Sequence, residues 1–188
     1  GVSYGDVVFG ATTTGSIGAV GVHGDVTVTL PRPFESDSDE KAFVRAVLGA
    51  NMQPAMNTTL TFELYAQSHG ETRDRYFHAY ASERFQRGEL WTVGRYYAGL
   101  SLSQAFTPTL TGNLGVVMNL GDPSALLLPS IAWRVSDEVD FVGGAYIGLG
   151  ARPGDMNVEA TDLLDIYPSG SEFGLVPTTA YVQMKAYF

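Results

Sequence analysis

The amino-acid sequence predicts an all-β fold, an antiparallel transmembrane β-barrel with about nine or ten strands in this chain. Apolar and polar residues alternate with a period of two along most of its length. The alternating segments are about 11 to 17 residues long, whereas strands of globular proteins have ~5 to 6 residues. Only 16% of the 188 residues are charged although 45% are hydrophobic, and a typical soluble domain carries ~25% charge.

The composition excludes several classes of function. Lys and Arg total 11 against 20 Asp and Glu, which gives a net charge of -9 and leaves no broad surface for nucleic acid. The absence of cysteine excludes disulfides, thiolate metal sites and cysteine nucleophiles. Residues 1–10 lack the basic start and apolar core of a signal peptide, so an exported form is expected to be a mature or trimmed chain.

The N-terminal half contains five predicted strands, near residues 2–13, 17–30, 40–53, 57–67 and 89–106. The segment near 40–53 is ambiguous, since its apolar residues also fit one face of a helix, and we favour a strand. Long polar connections are expected near residues 31–39, 68–88 and 151–171. Residues 1–188 are therefore expected to form a single barrel domain or a segment of a barrel.

The C-terminal half alternates more clearly and contains four predicted strands, near residues 109–120, 124–136, 139–150 and 172–188. The first three of these strands are separated by short segments with Pro, Asp or Ser, which favour tight turns between antiparallel neighbours. In the last strand the apolar side chains belong to Ala180, Val182, Met184, Ala186 and Phe188, and they alternate with Thr179, Tyr181, Gln183, Lys185 and Tyr187.

The polar side of these strands decides between two interpretations of the pattern. A solvated face is normally rich in Lys, Glu and Asp, but here the polar positions carry mainly Thr, Ser, Asn, Gln, Gly and Tyr. A membrane barrel explains this, because its apolar side chains face lipid and its polar side chains line a confined interior. A soluble calyx-like barrel with an apolar ligand inside is the alternative.

In its last strand the chain resembles porin-like β-barrel proteins of the bacterial outer membrane. The last strand of these proteins ends in an aromatic residue. The matching residues are Tyr181 to Phe188. The resemblance implies that a Gram-negative barrel-assembly machinery reads this strand, with Val182, Met184, Tyr187 and Phe188 as the assembly signal. It also implies an outer-membrane location, contact with the lipid bilayer and lipopolysaccharide, and a periplasmic C-terminus with the long loops outside.

The strand count leaves two alternatives open. Nine strands would begin and end with strands that run in the same direction, whereas bacterial single-chain barrels normally have an even number. Either residues 73–86 contain a further strand, or the chain is the C-terminal part of a larger barrel.

Seven ionisable residues are predicted to point into the interior and to line a pore. They are Asp25, Arg45, Glu63, Arg95, Arg134, Asp140 and Lys185. Charges of both signs on different strands would select solutes by charge, but they would also form pairs in a plugged interior. No catalytic arrangement is apparent, and the acidic loops lack the spacing of a calcium loop, so we expect no enzyme activity, no metal and no cofactor.

The sequence thus predicts a passive outer-membrane channel for small hydrophilic solutes. The second hypothesis is a non-conducting structural or assembly subunit that contacts other outer-membrane chains. The third is the soluble calyx-like barrel.

Overall fold

The computed structural model describes residues 6–31, 41–152 and 170–187. Within them nine antiparallel strands form one sheet whose strand order follows the chain from β1 to β9. The strands are β1 (Val7–Ile17), β2 (Val20–Leu30), β3 (Phe43–Ala55), β4 (Thr58–Gln67), β5 (Tyr96–Thr107), β6 (Leu110–Asn119), β7 (Ser124–Ser136), β8 (Val139–Leu149) and β9 (Thr179–Ala186). The all-β antiparallel prediction is confirmed, and so is the choice of a strand for the ambiguous segment that became β3.

The connections differ between the two ends of the sheet. Four two-residue turns, at 18–19, 56–57, 108–109 and 137–138, lie at one end, which we call the turn end. The opposite end, called the loop end, carries the connections that follow β2, β4, β6 and β8. Register shifts occur beside three of the turns, in β3, β5 and β7. Register shifts of this kind interrupt the regular pairing beside these three turns.

The register places the predicted apolar residues on one continuous side of the sheet, called the apolar face. Leu48 pairs with Leu64, Val116 with Leu127, and Phe141 with Met184. Much of this face is open: Leu48 is 62% exposed and Met184 61%. The buried hydrophobic residues lie mainly at the loop end instead, where the connections pack against the sheet.

The connection between β4 and β5 differs from the prediction. A further strand in residues 73–86 is wrong, because this segment forms a 3-10 turn (Arg73–Arg75) and two short helices, α1 (Tyr76–Ala81) and α2 (Glu83–Gln86). Strand β5 begins at Tyr96 and not near residue 89, since the amide groups that precede it bond to side chains. Among the described residues, no helix is long and apolar enough to cross a membrane.

The sheet is not closed, which corrects the expectation of a complete barrel. Strands β1 and β9 are its two edges, and the described residues contain no pairing between them. Both strands run from the loop end to the turn end. In an antiparallel meander every odd-numbered strand runs in the same direction, so the ninth strand is parallel to the first. An antiparallel pair of these two edges is therefore geometrically excluded.

Candidate functional site

The candidate site is the side of the sheet opposite the apolar face, called the polar face. Six of the predicted pore-lining residues lie on its strands, and Arg95 directly precedes β5. They occupy three levels: Arg45 and Arg95 at the loop end, Asp25 and Glu63 in the middle, and Arg134, Asp140 and Lys185 at the turn end. The structure does not bring the seven side chains together, and pore lining stays a prediction.

At the turn end, a charged group borders an open cavity of about 220 Å³. The Arg134 Nε lies 3.4 Å from Asp140 Oδ1, and the Tyr187 hydroxyl donates to Asp140 Oδ2 at 3.4 Å. Lys185 is the register partner of Asp140 and also lines the cavity. Two cations thus surround one carboxylate at the cavity, while Asp137 and Glu138 lie in the adjacent turn.

In the middle of the sheet, two carboxylates bond to neighbours on the same face. Asp25 Oδ1 accepts a bond from the Thr12 hydroxyl at 2.5 Å, and Glu63 Oε1 lies 3.2 Å from His23 Nε2. The His23 ring reaches across β3 by lying over Gly49, where a Cβ would collide with the imidazole. The Glu63 side chain is 51% exposed, so its charge faces open space.

At the loop end, the predicted arginines bond to backbone carbonyls of the β4–β5 connection. Arg95 Nε donates to the Gly70 carbonyl at 2.6 Å, and an Arg45 amino group donates to the Glu89 carbonyl at 3.4 Å. Arg45 thus attaches the connection to the sheet, and Arg95 joins the two ends of the connection. His69 lies beside them in the same connection, and burial, together with nearby Arg45 and Arg84, lowers its pKa to about 4. At neutral pH this imidazole is uncharged.

A second loop-end feature was missed at the sequence level. Residues 171–176, which we call the strap, lie across the polar face at the loop end of β5 to β8. The Glu172 carboxylate accepts bonds from the Tyr97 hydroxyl and Asn119 Nδ2, both at 2.6 Å, and from the Val93 amide at 2.9 Å. The Glu172 amide in turn donates to Asp122 Oδ2 at 2.6 Å. The prediction placed Glu172 at the start of the last strand, and no local signal marks its contacts.

Glu172 in the strap and Asp122, which lies between β6 and β7, are both buried. Glu172 is 6% exposed and Asp122 is 0% exposed. Burial raises the pKa of the Glu172 carboxyl, and the Asp122 carboxylate raises it further, although the bonds from Tyr97, Val93 and Asn119 act in the opposite direction. Burial is also the main reason why the pKa of the Tyr76 hydroxyl, which accepts a bond from Asn119, is raised. Glu172 and Asp122 are therefore two acidic side chains that lie close together and are shielded from water.

The predicted assembly signal lies on the edge strand and just beyond it. Val182, Met184 and Tyr187 are exposed at 80%, 61% and 55%, and Phe188 lies outside the described residues. Their exposure leaves them accessible to another protein, and their role as a signal stays a prediction.

The described residues contain no group of three or more His, Asp or Glu side chains close enough to hold a metal ion. Searches for related proteins give no further guidance: no family model, no curated protein and no solved structure matches this chain.

Proposed function

We propose that this chain forms the wall of a bacterial outer-membrane β-barrel that acts as a passive channel for small hydrophilic solutes. The observation that carries the proposal is that every Asp, Glu, Lys and Arg of the nine strands lies on one face of the sheet, opposite the exposed apolar side chains. Large apolar side chains are exposed on one face, which suits contact with hydrocarbon, and the other carries charged residues at three levels.

The strand lengths support the same proposal. The nine strands contain 8 to 13 residues, and ~9 to 11 residues cross a bilayer when a strand is tilted. The packing of the connections adds a second argument, because the strap and the β4–β5 connection bond to polar-face residues at the loop end. A soluble calyx with its apolar side chains inside would require the opposite arrangement.

A recording of ion conductance in planar lipid bilayers tests the channel function. The purified full chain is expected to give discrete current steps, and complete electrical silence would remove the channel role. Extraction from membranes only with detergent, and a heat-dependent shift in gel mobility, test the membrane wall separately. A protein that stays in the aqueous phase would favour the calyx.

A non-conducting structural or assembly subunit is the second candidate, and the strap favours it. The strap covers the loop end of the polar face with buried, hydrogen-bonded groups, so a permanently seated strap would obstruct passage. Purification from native outer membranes separates the candidates. Other outer-membrane chains that copurify in fixed proportion with an electrically silent protein would support the subunit role.

A further inference from the structure

We propose that the strap is a gate over the loop end of the polar face and that Glu172 is the residue that holds it closed. This inference rests on the proposed channel function, because a gate requires a passage.

The strap is placed to obstruct a passage because it crosses four neighbouring strands. Tyr97, Asn119 and Ser124 lie in one register row on β5, β6 and β7, and their side chains bond to the strap. On β8, the Phe173 and Val176 carbonyl oxygens occupy the position that a Cβ on Gly148 would need. The strap backbone therefore lies directly on the polar face, and Gly148 permits this approach because it has no side chain.

Glu172 makes the shortest of the bonds that join the strap to the rest of the protein. Three donors from outside the strap converge on its carboxylate at 2.6 to 2.9 Å. One other bond to the strap is as short, from the Glu172 amide to Asp122 Oδ2 at 2.6 Å, but it is a single bond. The remaining side-chain bonds that attach the strap are longer: the Phe173 amide to Ser124 Oγ is 3.3 Å, and Ser171 Oγ to the Ala151 carbonyl is 3.2 Å. Loss of the Glu172 carboxylate should thus weaken the seated strap more than loss of any other single contact.

Burial and the neighbouring Asp122 carboxylate oppose the charge of Glu172 in the closed state. Among the described residues, no Lys or Arg forms an ion pair with Glu172, and the neighbouring Asp122 carboxylate repels it. The Arg73 Nε donates to the Gly170 carbonyl next to the strap, at 3.3 Å. Burial removes water from the Glu172 carboxylate, and this costs free energy in the closed state. When the strap lifts off the sheet, water molecules can replace the three neutral donors.

The test uses a reporter cysteine in the strap, since the chain has no other cysteine. Ser171 is 2% exposed, so the thiol of Ser171→Cys should react slowly with a membrane-impermeant maleimide while the strap is seated. The reporter is combined with Glu172→Ala, with Glu172→Gln, or with the control Glu138→Ala, which removes an exposed carboxylate in a turn at the opposite end. We expect labelling about tenfold faster or more with Glu172→Ala, an intermediate rate with Glu172→Gln, and no change with the control.

Bilayer recordings of the same proteins complete the test. Each protein is first checked for the heat-dependent gel shift, which shows that the variant has folded. Glu172→Ala should be open for a larger fraction of the time than the parent, and Glu138→Ala should match the parent. Equal labelling rates in all variants, or faster labelling with an unchanged open fraction, would overturn the gate but leave the channel. Electrical silence in every variant would overturn the channel function and the gate with it.

Discussion

Gly49 determines how His23 and Glu63 meet on the polar face. These two side chains lie on strands that are not neighbours, and β3 runs between them. An added Cβ at Gly49 would collide with the His23 ring and approach Glu63 Cγ to 3.1 Å. Gly99 flanks Glu63 on the other side, but a Cβ there would lie 3.9 Å from Glu63, an ordinary contact.

Gly49→Ala is therefore expected to rotate His23 away from Glu63 without unfolding the sheet. The stability loss should be below ~1 kcal/mol, because the pair is partly exposed. The imidazole nitrogen resonances in NMR spectra should shift in Gly49→Ala and stay unchanged in the matched Gly99→Ala. An unchanged His23 spectrum in Gly49→Ala would show that the histidine does not lie over this glycine.

The charges in the middle of the polar face predict the selectivity of the proposed channel. Asp25 and Glu63 lie there, whereas the Lys and Arg residues of the nine strands, Arg45, Arg134 and Lys185, lie near strand ends. Carboxylates that line a pore favour cations.

We expect a preference for potassium over chloride in the reversal potential under a salt gradient. Glu63→Gln and Asp25→Asn should each reduce this preference. Asp140→Asn, at the turn end beside Arg134, serves as the comparison and should reduce it less. A channel whose reversal potential does not respond to Glu63→Gln and Asp25→Asn would contradict the pore-lining role of these two residues.

At the scale of the element, the strap responds to pH through Glu172. The pKa of its carboxyl is raised while the strap is seated, and a released, hydrated carboxyl would return toward the ordinary value. The seated state thus binds the proton more tightly. Its extra stability is complete below the ordinary Glu pKa and is lost as the pH rises through the raised pKa.

The Ser171→Cys reporter should accordingly become less accessible on acidification, after the rate is corrected for the thiolate fraction of a free model thiol. Among the described residues, the other titratable or charged groups around Glu172 are Asp122, Tyr76, Tyr97 and Arg73. Glu172→Gln should abolish most of the dependence, and Asp122→Asn identifies any part that comes from the neighbouring carboxylate. A reporter that becomes more accessible at acidic pH would contradict this sign.

The elements also show which parts of the structure a sequence can predict. Strands β6, β7 and β8 lie within about two residues of the predicted bounds, because alternation and tight turns are local signals. The start of β5 was misplaced because the Val93 amide bonds to Glu172, which is 79 residues away in the chain. The helices α1 and α2, with 6 and 4 residues, are too short to show a helical period. The strap contacts depend on residues from four separate segments, and their spacing carries no signal.

For the whole molecule, the direction of the two edge strands is the main constraint. Strands β1 and β9 cannot pair antiparallel with each other. A disulfide between them would require a parallel seam, in which the two edge strands pair in the same direction and close the sheet. We expect no disulfide on oxidation when cysteines replace Gln183 and either Thr12, Thr14 or Ser16. Thr12→Cys with Asp25→Cys is the positive control, since these residues face each other on β1 and β2. Efficient bridging of any edge pair, within one chain in a membrane, would demonstrate a parallel seam.

The meander order of the strands also affects how the protein reaches its native state. Each strand pairs with the next strand of the polypeptide, so the sheet can grow by adding one strand at a time to the strand before it. The strap is different, since the Glu172 bond to Tyr97 spans 75 residues and needs β5, β6 and β7 to be in register beforehand. Seating of the strap should hence be a late step of folding. An intermediate trapped before this step would leave the polar groups at the loop end in contact with water.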